Sequence, residues 1–186
     1  AESVSVIVNE EMKEVQEHLK ALSLPVPLHL VIKSTPSSMH SFFELSPSLE
    51  GGKFCLTTVD TIFKEDEFAS YIKVFEQDDV YDGLMAVTDY IDDEKPLYVA
   101  TDPSLSVTDF MDSAYPGARY ISGGIYCLNQ AGIHTLHGCM NVGVSRMRNY
   151  QRRLVEEGVQ LKAYPFSKII DVDHAEDIQK AENFIY

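Results

Sequence analysis

The chain has 186 residues, of which 45% are hydrophobic, and it carries a formal net charge of −14. This apolar content excludes a disordered chain, and the length fits one domain with its own core. The excess of acid argues against a nucleic-acid or anionic-membrane surface, since both favour clustered Lys and Arg.

The sequence also carries signals about compartment. No apolar run approaches the roughly 18 residues that span a bilayer, and no signal peptide is visible. Cys55, Cys127 and Cys139 are odd in number and form no CxxC pair. That usage fits a reducing environment better than a disulfide framework, so we expect a cytoplasmic protein without membrane or nucleic-acid partners.

The first part of the chain alternates strand and helix patterns. Ser3–Val8 predicts a short buried strand, and Asn9 is a favourable N-cap for the helix that follows. A second strand is predicted over Leu28–Lys33. The polar turn after it, Thr35 to Ser38, can begin a helix that runs through Leu45.

The third predicted strand is the most informative stretch. The apolar, β-branched run Phe54–Val59 ends abruptly in a carboxylate, Asp60, and a helical pattern covers Phe63–Gln77. In an open α/β sheet, ligands bind at the carboxyl ends of the strands. A carboxylate at that edge can hold a divalent cation against a phosphate.

A group of short strands separated by Asp, Pro and Gly turns comes next, predicted over Leu84–Tyr90, Leu97–Thr101, Val107–Met111 and Tyr120–Leu128.

The chain closes with a helix, a strand and a helix. The first helix begins near Val144 and ends at Gly158, and the strand Gln160–Ile170 runs into Asp171. The closing helix spans His174 to Ile185. We therefore predict one domain over residues 1–186, with a mixed, mostly parallel sheet and helices on both faces.

Asp60 and Asp171 are the candidate metal ligands. Each ends an apolar strand, where a charge is costly unless it is paired or bound to metal, although two solvated turn residues would give the same pattern. Mg²⁺ or Mn²⁺ is the expected ion, because the ligands are hard oxygens. Asp173 needs no ligand, since Asp173 and Glu176 read as a capping box.

Two further segments are candidate substrate contacts. Thr35, Ser37 and Ser38 could present hydroxyls and helix-terminal amides to a nucleotide, but ordinary N-capping explains them equally well. Gly123 and Gly124 could let a sugar approach the backbone, or could simply form a bulge.

The one basic cluster lies near residue 150. It is read as a solvated helix face from which one arginine could reach a phosphate, and its members are Arg146, Arg148, Arg152 and Arg153.

The chain resembles the sugar-phosphate nucleotidyltransferases, also called nucleotide-diphospho-sugar pyrophosphorylases. Thr58 to Phe63 is similar to the family's metal-binding D-x-x-F strand end. Ser122 to Tyr126 (SGGIY) is similar to its N-A-G-I-Y sugar-side strand, and Asp171 to Ile178 (DVDHAEDI) to its closing D-x-D-T-P-E-D-L motif. Thr35 to Phe42 stands where members carry a nucleotide-contacting turn, and Val4 to Leu22 resembles the second strand and helix.

The resemblance implies a Rossmann-like nucleotide-diphospho-sugar transferase fold with two catalytic, metal-binding aspartates, Asp60 and Asp171. It also implies nucleotide contacts from Thr35, Ser37 and Ser38, and sugar contacts from Gly123, Gly124 and Tyr126. The partners would be an NTP and a sugar phosphate.

Two departures from the family pattern are visible. The N-terminal G-x-G-T-R…K-P strand and loop are absent from the 186 residues, and Tyr115 to Arg119 replaces the E-K-P motif. We therefore expect transfer of NMP from an NTP to a sugar 1-phosphate to be impaired in this chain. A non-catalytic nucleotide- or sugar-phosphate-binding relative is the alternative, and a glycosyltransferase is a third reading.

Overall fold

The computed structural model describes residues 1–92 and 95–185. Helices α1 to α6 span Lys13–Ala21, Ser38–Leu45, Glu65–Gln77, Gln130–Asn141, Met147–Glu156 and Ala175–Ile185. Strands β1 to β10 span Val4–Val8, Leu28–Ile32, Phe54–Thr57, Thr61–Ile62, Gly83–Thr88, Tyr98–Thr101, Val107–Met111, Tyr120–Leu128, Leu161–Phe166 and Ile170–Asp171. Within this part of the chain, none of the helices has the length and apolar character to cross a bilayer.

The central sheet has the order β7-β6-β8-β5-β9, with β3 also paired to β8. β5 and β9 are parallel, whereas β8 is antiparallel to β3, β5 and β6. The mixed α/β class is thus confirmed. Four of its six strands, β3, β5, β6 and β9, share one direction, but β5–β9 is the parallel one of its five pairings, because β8 runs in the reverse direction between them.

β1 and β2 form a parallel pair of their own, outside the central sheet. The expectation that they would share one sheet with β3 and the last strand is therefore wrong. The last strand is also broken in two: β9 ends at Phe166, and β10 pairs separately with β4. Ser167 and Lys168 lie in the break, where Ser167 donates a hydrogen bond to Glu67.

Each face of the central sheet has its own core. One face packs against α2, α4 and α5, with Phe42, Tyr150 and Leu154 fully buried. The other face packs against α3 through Tyr71 and Phe75. These two layers fix the edge of the sheet at which the polar residues gather.

Candidate functional site

A cleft opens at one edge of the central sheet. β3, β5 and β9 run in one direction, because β3 and β5 are both antiparallel to β8 and β9 is parallel to β5. Their carboxyl ends therefore meet at one edge. In open α/β sheets this edge is where ligands bind.

The strand pairing explains why the cleft forms there. β3 pairs with the second half of β8, as far as Thr57 opposite Ile125. β6 pairs with its beginning, and Ser122 donates a backbone hydrogen bond to Leu97. Gly123 and Gly124 of β8 therefore lie opposite a gap between two strands that share the same side of β8.

The cleft has a volume of about 320 Å³ and a mainly polar lining. The lining consists of three carboxylates (Asp60, Asp171, Asp173), four hydroxyls (Ser38, Thr58, Ser122, Tyr126), three basic residues (Lys95, Arg146, Arg148), and Gly124, Leu97, Met147 and Gln151.

Asp60 and Asp171 are brought together by a two-residue ladder. β4 pairs with β10 so that Thr61 lies opposite Asp171, and the Val172 N–H donates to the Asp60 carbonyl at 3.0 Å. The Thr61 hydroxyl donates to Asp171 Oδ1, also at 3.0 Å. The two carboxylates, 111 positions apart in sequence, therefore share one cleft.

The arrangement suits a hard cation to which a ligand contributes oxygens. In the described residues, no group of three or more His, Cys, Asp or Glu side chains is placed to hold a metal ion. Two carboxylates and neighbouring hydroxyls fit Mg²⁺ or Mn²⁺, which normally complete their shell with substrate phosphates and water. A metal role for Asp60 and Asp171 stays a prediction.

The three hydroxyl residues of the turn before α2, Thr35, Ser37 and Ser38, make different contacts. Ser38 lies on the cleft wall. Thr35 instead bonds to the Ser41 hydroxyl at 2.6 Å, and the Ser37 hydroxyl bonds to His40 Nδ1 at 2.8 Å. Ser37 occupies the N-cap position without a side-chain capping bond. Of the three predicted nucleotide contacts, Ser38 is the one that faces this cleft.

The two glycines of β8 have different reasons to be glycine. A Cβ on Gly123 would lie 2.2 Å from Ile169 Cδ1, so the end of the Ile169 side chain would have to move to admit a larger residue. Gly124 has φ of +73° and lies at an irregularity in the pairing of β5 with β8, so the backbone itself requires glycine. Gly124 lines the main cleft, and the bulge is therefore part of its floor.

Tyr126 closes the floor from the same strand. It is 6% exposed, and burial, with a smaller contribution from the Asp171 charge, raises its pKa to about 12. The phenol is therefore neutral at physiological pH. Its oxygen accepts a hydrogen bond from Gln151 Nε2 at 3.4 Å.

A second cavity of about 390 Å³ adjoins the first and shares Lys95, Ser122, Asp171 and Asp173 with it. Its far wall has alternating charges: Lys180 pairs with Asp92 at 2.9 Å and with Asp177 at 3.0 Å. The two cavities therefore adjoin at Asp171 and the other shared residues.

Several cleft residues were not assigned to a site by sequence reasoning. Asp173 was read as a helix cap, but the capping bond runs from the His174 N–H to Asp177, and Asp173 lines both cavities. Gln151 has no role assigned from the sequence. Lys95 belongs to no sequence motif, and the fold brings it to the cleft.

Two of the arginines near residue 150 line the cleft, and a third contacts the strand β7. Arg146 begins α5 with φ of 72°, a conformation that residues other than glycine rarely adopt. Arg148 donates to Asp112 at 2.6 Å and to the Lys95 carbonyl at 3.2 Å. Arg152 also pairs with the Asp112 carboxylate. Asp112 has a lowered pKa because Arg152 and Arg148 donate to it. Arg146 and Arg148 thus reach the cleft, whereas Arg152 braces α5 against β7.

Solved structures share this fold over nearly the whole chain. The inositol-1-phosphate CTP transferase from T. maritima matches with a TM-score of 0.77 at 17% identity, over 100% of this chain and 79% of that one. A Bacillus anthracis protein described as a glucose-1-phosphate thymidylyltransferase matches with a TM-score of 0.81 at 14% identity, over 97% and 74%.

A CMP:2-keto-3-deoxy-manno-octonic acid synthetase complexed with CTP matches with a TM-score of 0.70 at 14% identity, over 97% and 80%. No family model and no curated protein matches the sequence. The resemblance seen in the sequence is confirmed at the level of the fold.

Proposed function

We propose that this chain is a nucleotidyltransferase domain that transfers NMP from an NTP to a sugar 1-phosphate, or a similar phosphate, and releases pyrophosphate. The observation that carries the proposal is the single cleft lined by Asp60, Asp171, Ser38 and Gly124. The fold adds support, since its neighbours include an inositol-1-phosphate CTP transferase and a synthetase complexed with CTP.

In this reaction an oxygen of the sugar phosphate forms a bond to the α-phosphorus of the NTP. The bond from that phosphorus to the oxygen bridging to the β-phosphate breaks, and pyrophosphate leaves with the electron pair. Such transfers depend on positioning and on electrostatic stabilisation more than on covalent help from the protein.

Each wall of the cleft has a role in this proposal. Asp60 and Asp171 are the proposed catalytic residues and would hold Mg²⁺ or Mn²⁺, which neutralises charge on phosphate oxygens. The Arg146 guanidinium offsets phosphate charge from the rim. Ser38, with its neighbours Thr35 and Ser37 in the same turn, lies on the nucleotide side, and Gly123, Gly124 and Tyr126 on the sugar side.

We also propose that turnover by residues 1–186 is slow. The sequence contains no G-x-G-T-R…K-P loop, so the β- and γ-phosphates lack a glycine-rich backbone cradle and its basic partner. The same observation favours the second candidate function, a nucleotide- or sugar-phosphate-binding relative without catalysis.

Calorimetry and a pyrophosphate-release assay distinguish these functions. The protein is titrated in Mg²⁺ with CTP, dTTP, UTP, ATP and GTP, and then with sugar 1-phosphates and inositol 1-phosphate. We expect selective binding of one NTP and one acceptor, with slow but Mg²⁺-dependent pyrophosphate release. Binding without any release would assign the non-catalytic function, and no binding of any NTP or sugar phosphate would refute both.

A further inference from the structure

Gln151 is a buried glutamine on a helix face that otherwise packs as core. It is 3% exposed, and its neighbours Tyr150 and Leu154 on α5 are fully buried. Burying an amide without hydrogen bonds costs about 1–3 kcal/mol in proteins, whereas leucine would carry no such cost. An amide at this position therefore needs its own explanation.

The carboxamide is held between two side chains of β8. Its Oε1 accepts from the Ser122 hydroxyl at 3.0 Å, and its Nε2 donates to the Tyr126 phenol at 3.4 Å. A carboxamide has two N–H donors and two acceptor lone pairs, so these two bonds use half of its capacity. All three residues line the main cleft, so the remaining capacity is available at a ligand-sized space.

The chemistry of this group matches a neutral hydroxyl. Gln151 offers both an N–H and a lone pair, and a hydroxyl likewise donates and accepts. The Tyr126 phenol, which accepts from Gln151, also carries an O–H that can donate. A quaternary ammonium group has no donor or acceptor and would leave these groups unpaired.

The position points to the acceptor and not to the NTP. Ser122, two positions before Gly124 in β8, lines both cavities, whereas Ser38 lines the first cavity and not the second. Gln151 and Ser122 come from a helix and a central strand, which hold polar groups in position better than loops do.

We infer that Gln151, held by Ser122 and Tyr126, is a specificity-determining residue that hydrogen-bonds a hydroxyl of the acceptor, which is therefore a sugar or cyclitol phosphate. This inference rests on the proposed nucleotidyl transfer and names the part of the acceptor that is recognised. A site that hydrogen-bonds a substrate hydroxyl rejects analogues lacking it, by up to about 10⁴-fold in the strongest cases.

The experiment measures Kd by calorimetry in Mg²⁺ for the wild type and Gln151→Leu. The ligands are glucose, galactose and mannose 1-phosphates, myo-inositol 1-phosphate, their monodeoxy analogues, and the five NTPs. We expect Gln151→Leu to weaken the best acceptor by at least about 10-fold and to leave the NTP affinity unchanged. One monodeoxy analogue should bind the wild type as weakly as the best acceptor binds Gln151→Leu. The affinity of that analogue should not fall further in Gln151→Leu.

Gln16→Leu is the matched control, because Gln16 is also 3% exposed and makes two hydrogen bonds, to Asn9 O and Glu10 O, away from the cleft. It should leave acceptor affinity unchanged. If Gln151→Leu does not fold, Ser122→Ala and Gln151→Glu replace it, and both should weaken the acceptor with the NTP retained.

The outcomes separate the two ideas. A folded Gln151→Leu protein that binds the acceptor as tightly as the wild type overturns the role of Gln151 and leaves nucleotidyl transfer intact. Preferred binding of a choline or ethanolamine phosphate would overturn the hydroxyl assignment. A wild type that binds neither NTP nor any acceptor overturns the proposed function and this inference together.

Discussion

Asp171 is both a proposed metal ligand and a member of the β4–β10 ladder. Its Oδ1 accepts from Thr61, and the ladder pairing of the same residues holds β10 against β4. An amide at this position would keep its size and most of its contacts while removing its charge. The contribution of the charge can therefore be measured separately from that of the shape.

Asp60→Asn and Asp171→Asn should each weaken Mn²⁺ binding in the presence of the preferred NTP by at least about 10-fold, because two carboxylates form the proposed protein share of the site. Manganese relaxation enhancement in water gives the measurement. The matched control is Asp79→Asn, a 95% exposed carboxylate that precedes β5 and so lies at the opposite edge of the sheet. Unchanged Mn²⁺ affinity in both cleft variants would exclude them as ligands.

Thr135 and Glu157 form a second interaction at the residue scale, remote from the cleft. The Thr135 hydroxyl, in a residue that is 1% exposed, donates to Glu157 Oε2 at 2.7 Å. This bond, followed by one from Arg153, lowers the pKa of Glu157 below its ordinary value of 4.5. A lowered carboxyl pKa contributes stability above the ordinary value, and that stability is lost as the pH falls through the folded-state pKa.

Thr135→Val should therefore lower the free energy of unfolding at pH 7 by about 1 kcal/mol, since it deletes one hydrogen bond and keeps the shape. The difference from the wild type should shrink as the pH falls below 4.5, because the carboxylate becomes protonated in both proteins. Urea unfolding at pH 7 and at acidic pH tests this, and a difference that grows on acidification would contradict it.

At the scale of elements, Tyr71 joins α3 to the sheet through its hydroxyl. The Tyr71 oxygen donates to the Leu84 carbonyl of β5 and accepts the Cys127 N–H of β8 at 2.9 Å. It thus satisfies backbone groups beside the irregular pairing of these two strands. Tyr71 therefore links α3 to both strands next to the bulge that carries Gly124.

Tyr71→Phe should destabilise the protein by about 1–3 kcal/mol, because it leaves a buried N–H and a buried carbonyl without their partner. Phe75→Leu is a useful comparison, since it changes packing on the same helix and removes no hydrogen bond. Thermal unfolding measures both variants, and faster amide exchange of Cys127 in Tyr71→Phe alone would locate the effect. A neutral Tyr71→Phe substitution would show that water or rearranged strands replace the hydroxyl.

The sequence was most informative about elements with strong local patterns. The predicted bounds of the strands Val107–Met111 and Tyr120–Leu128 agree with the structure, because Asp, Pro and Gly turn residues separate these short strands in the sequence. Helix α1 begins at Lys13 and not after Asn9, because the Gln16 side chain bonds to the Asn9 and Glu10 carbonyls and stabilises a separate turn.

The shared cleft of Asp60 and Asp171 was predictable, because each carboxylate follows an apolar run in the sequence, although β3 itself ends at Thr57. Gln151 was not, since a buried polar residue on an amphipathic helix has the same spacing as a core residue. Its partners lie 29 and 25 positions away on a strand, and only the packing of α5 on β8 reveals them. The direction of the strands was not predictable either. The apolar residues of β3 and β8 do not indicate whether the two strands pair parallel or antiparallel.

At the scale of the whole molecule, stability should be unevenly distributed. All six residues of β5 are buried, whereas all five residues of β1 are only half-buried. In helix α1, Gln16 is the one buried residue. A two-stranded pair is marginal without further packing, so the layer of β1, α1 and β2 depends on its contacts with the rest of the domain.

Hydrogen exchange followed by mass spectrometry should show this unevenness. Amides of β1 and β2 should exchange at least about 10-fold faster than those of β5, β8 and β9, because local opening costs less where fewer apolar groups are buried. An NTP bound near Ser38 should slow exchange in α2 first. Uniform protection across both sheets would contradict the expectation that the layers open independently.

The strand pairing also bears on how the protein behaves in concentrated solution. Among the described residues, β1 pairs with β2 alone and β3 with β8 alone, so each has a row of amides and carbonyls outside any ladder. Charged side chains usually guard such rows, yet Val-Ser-Val-Ile-Val and Phe-Cys-Leu-Thr contain none. Intermolecular strand addition, and not loss of the folded core, is therefore expected to limit the shelf life of a purified sample.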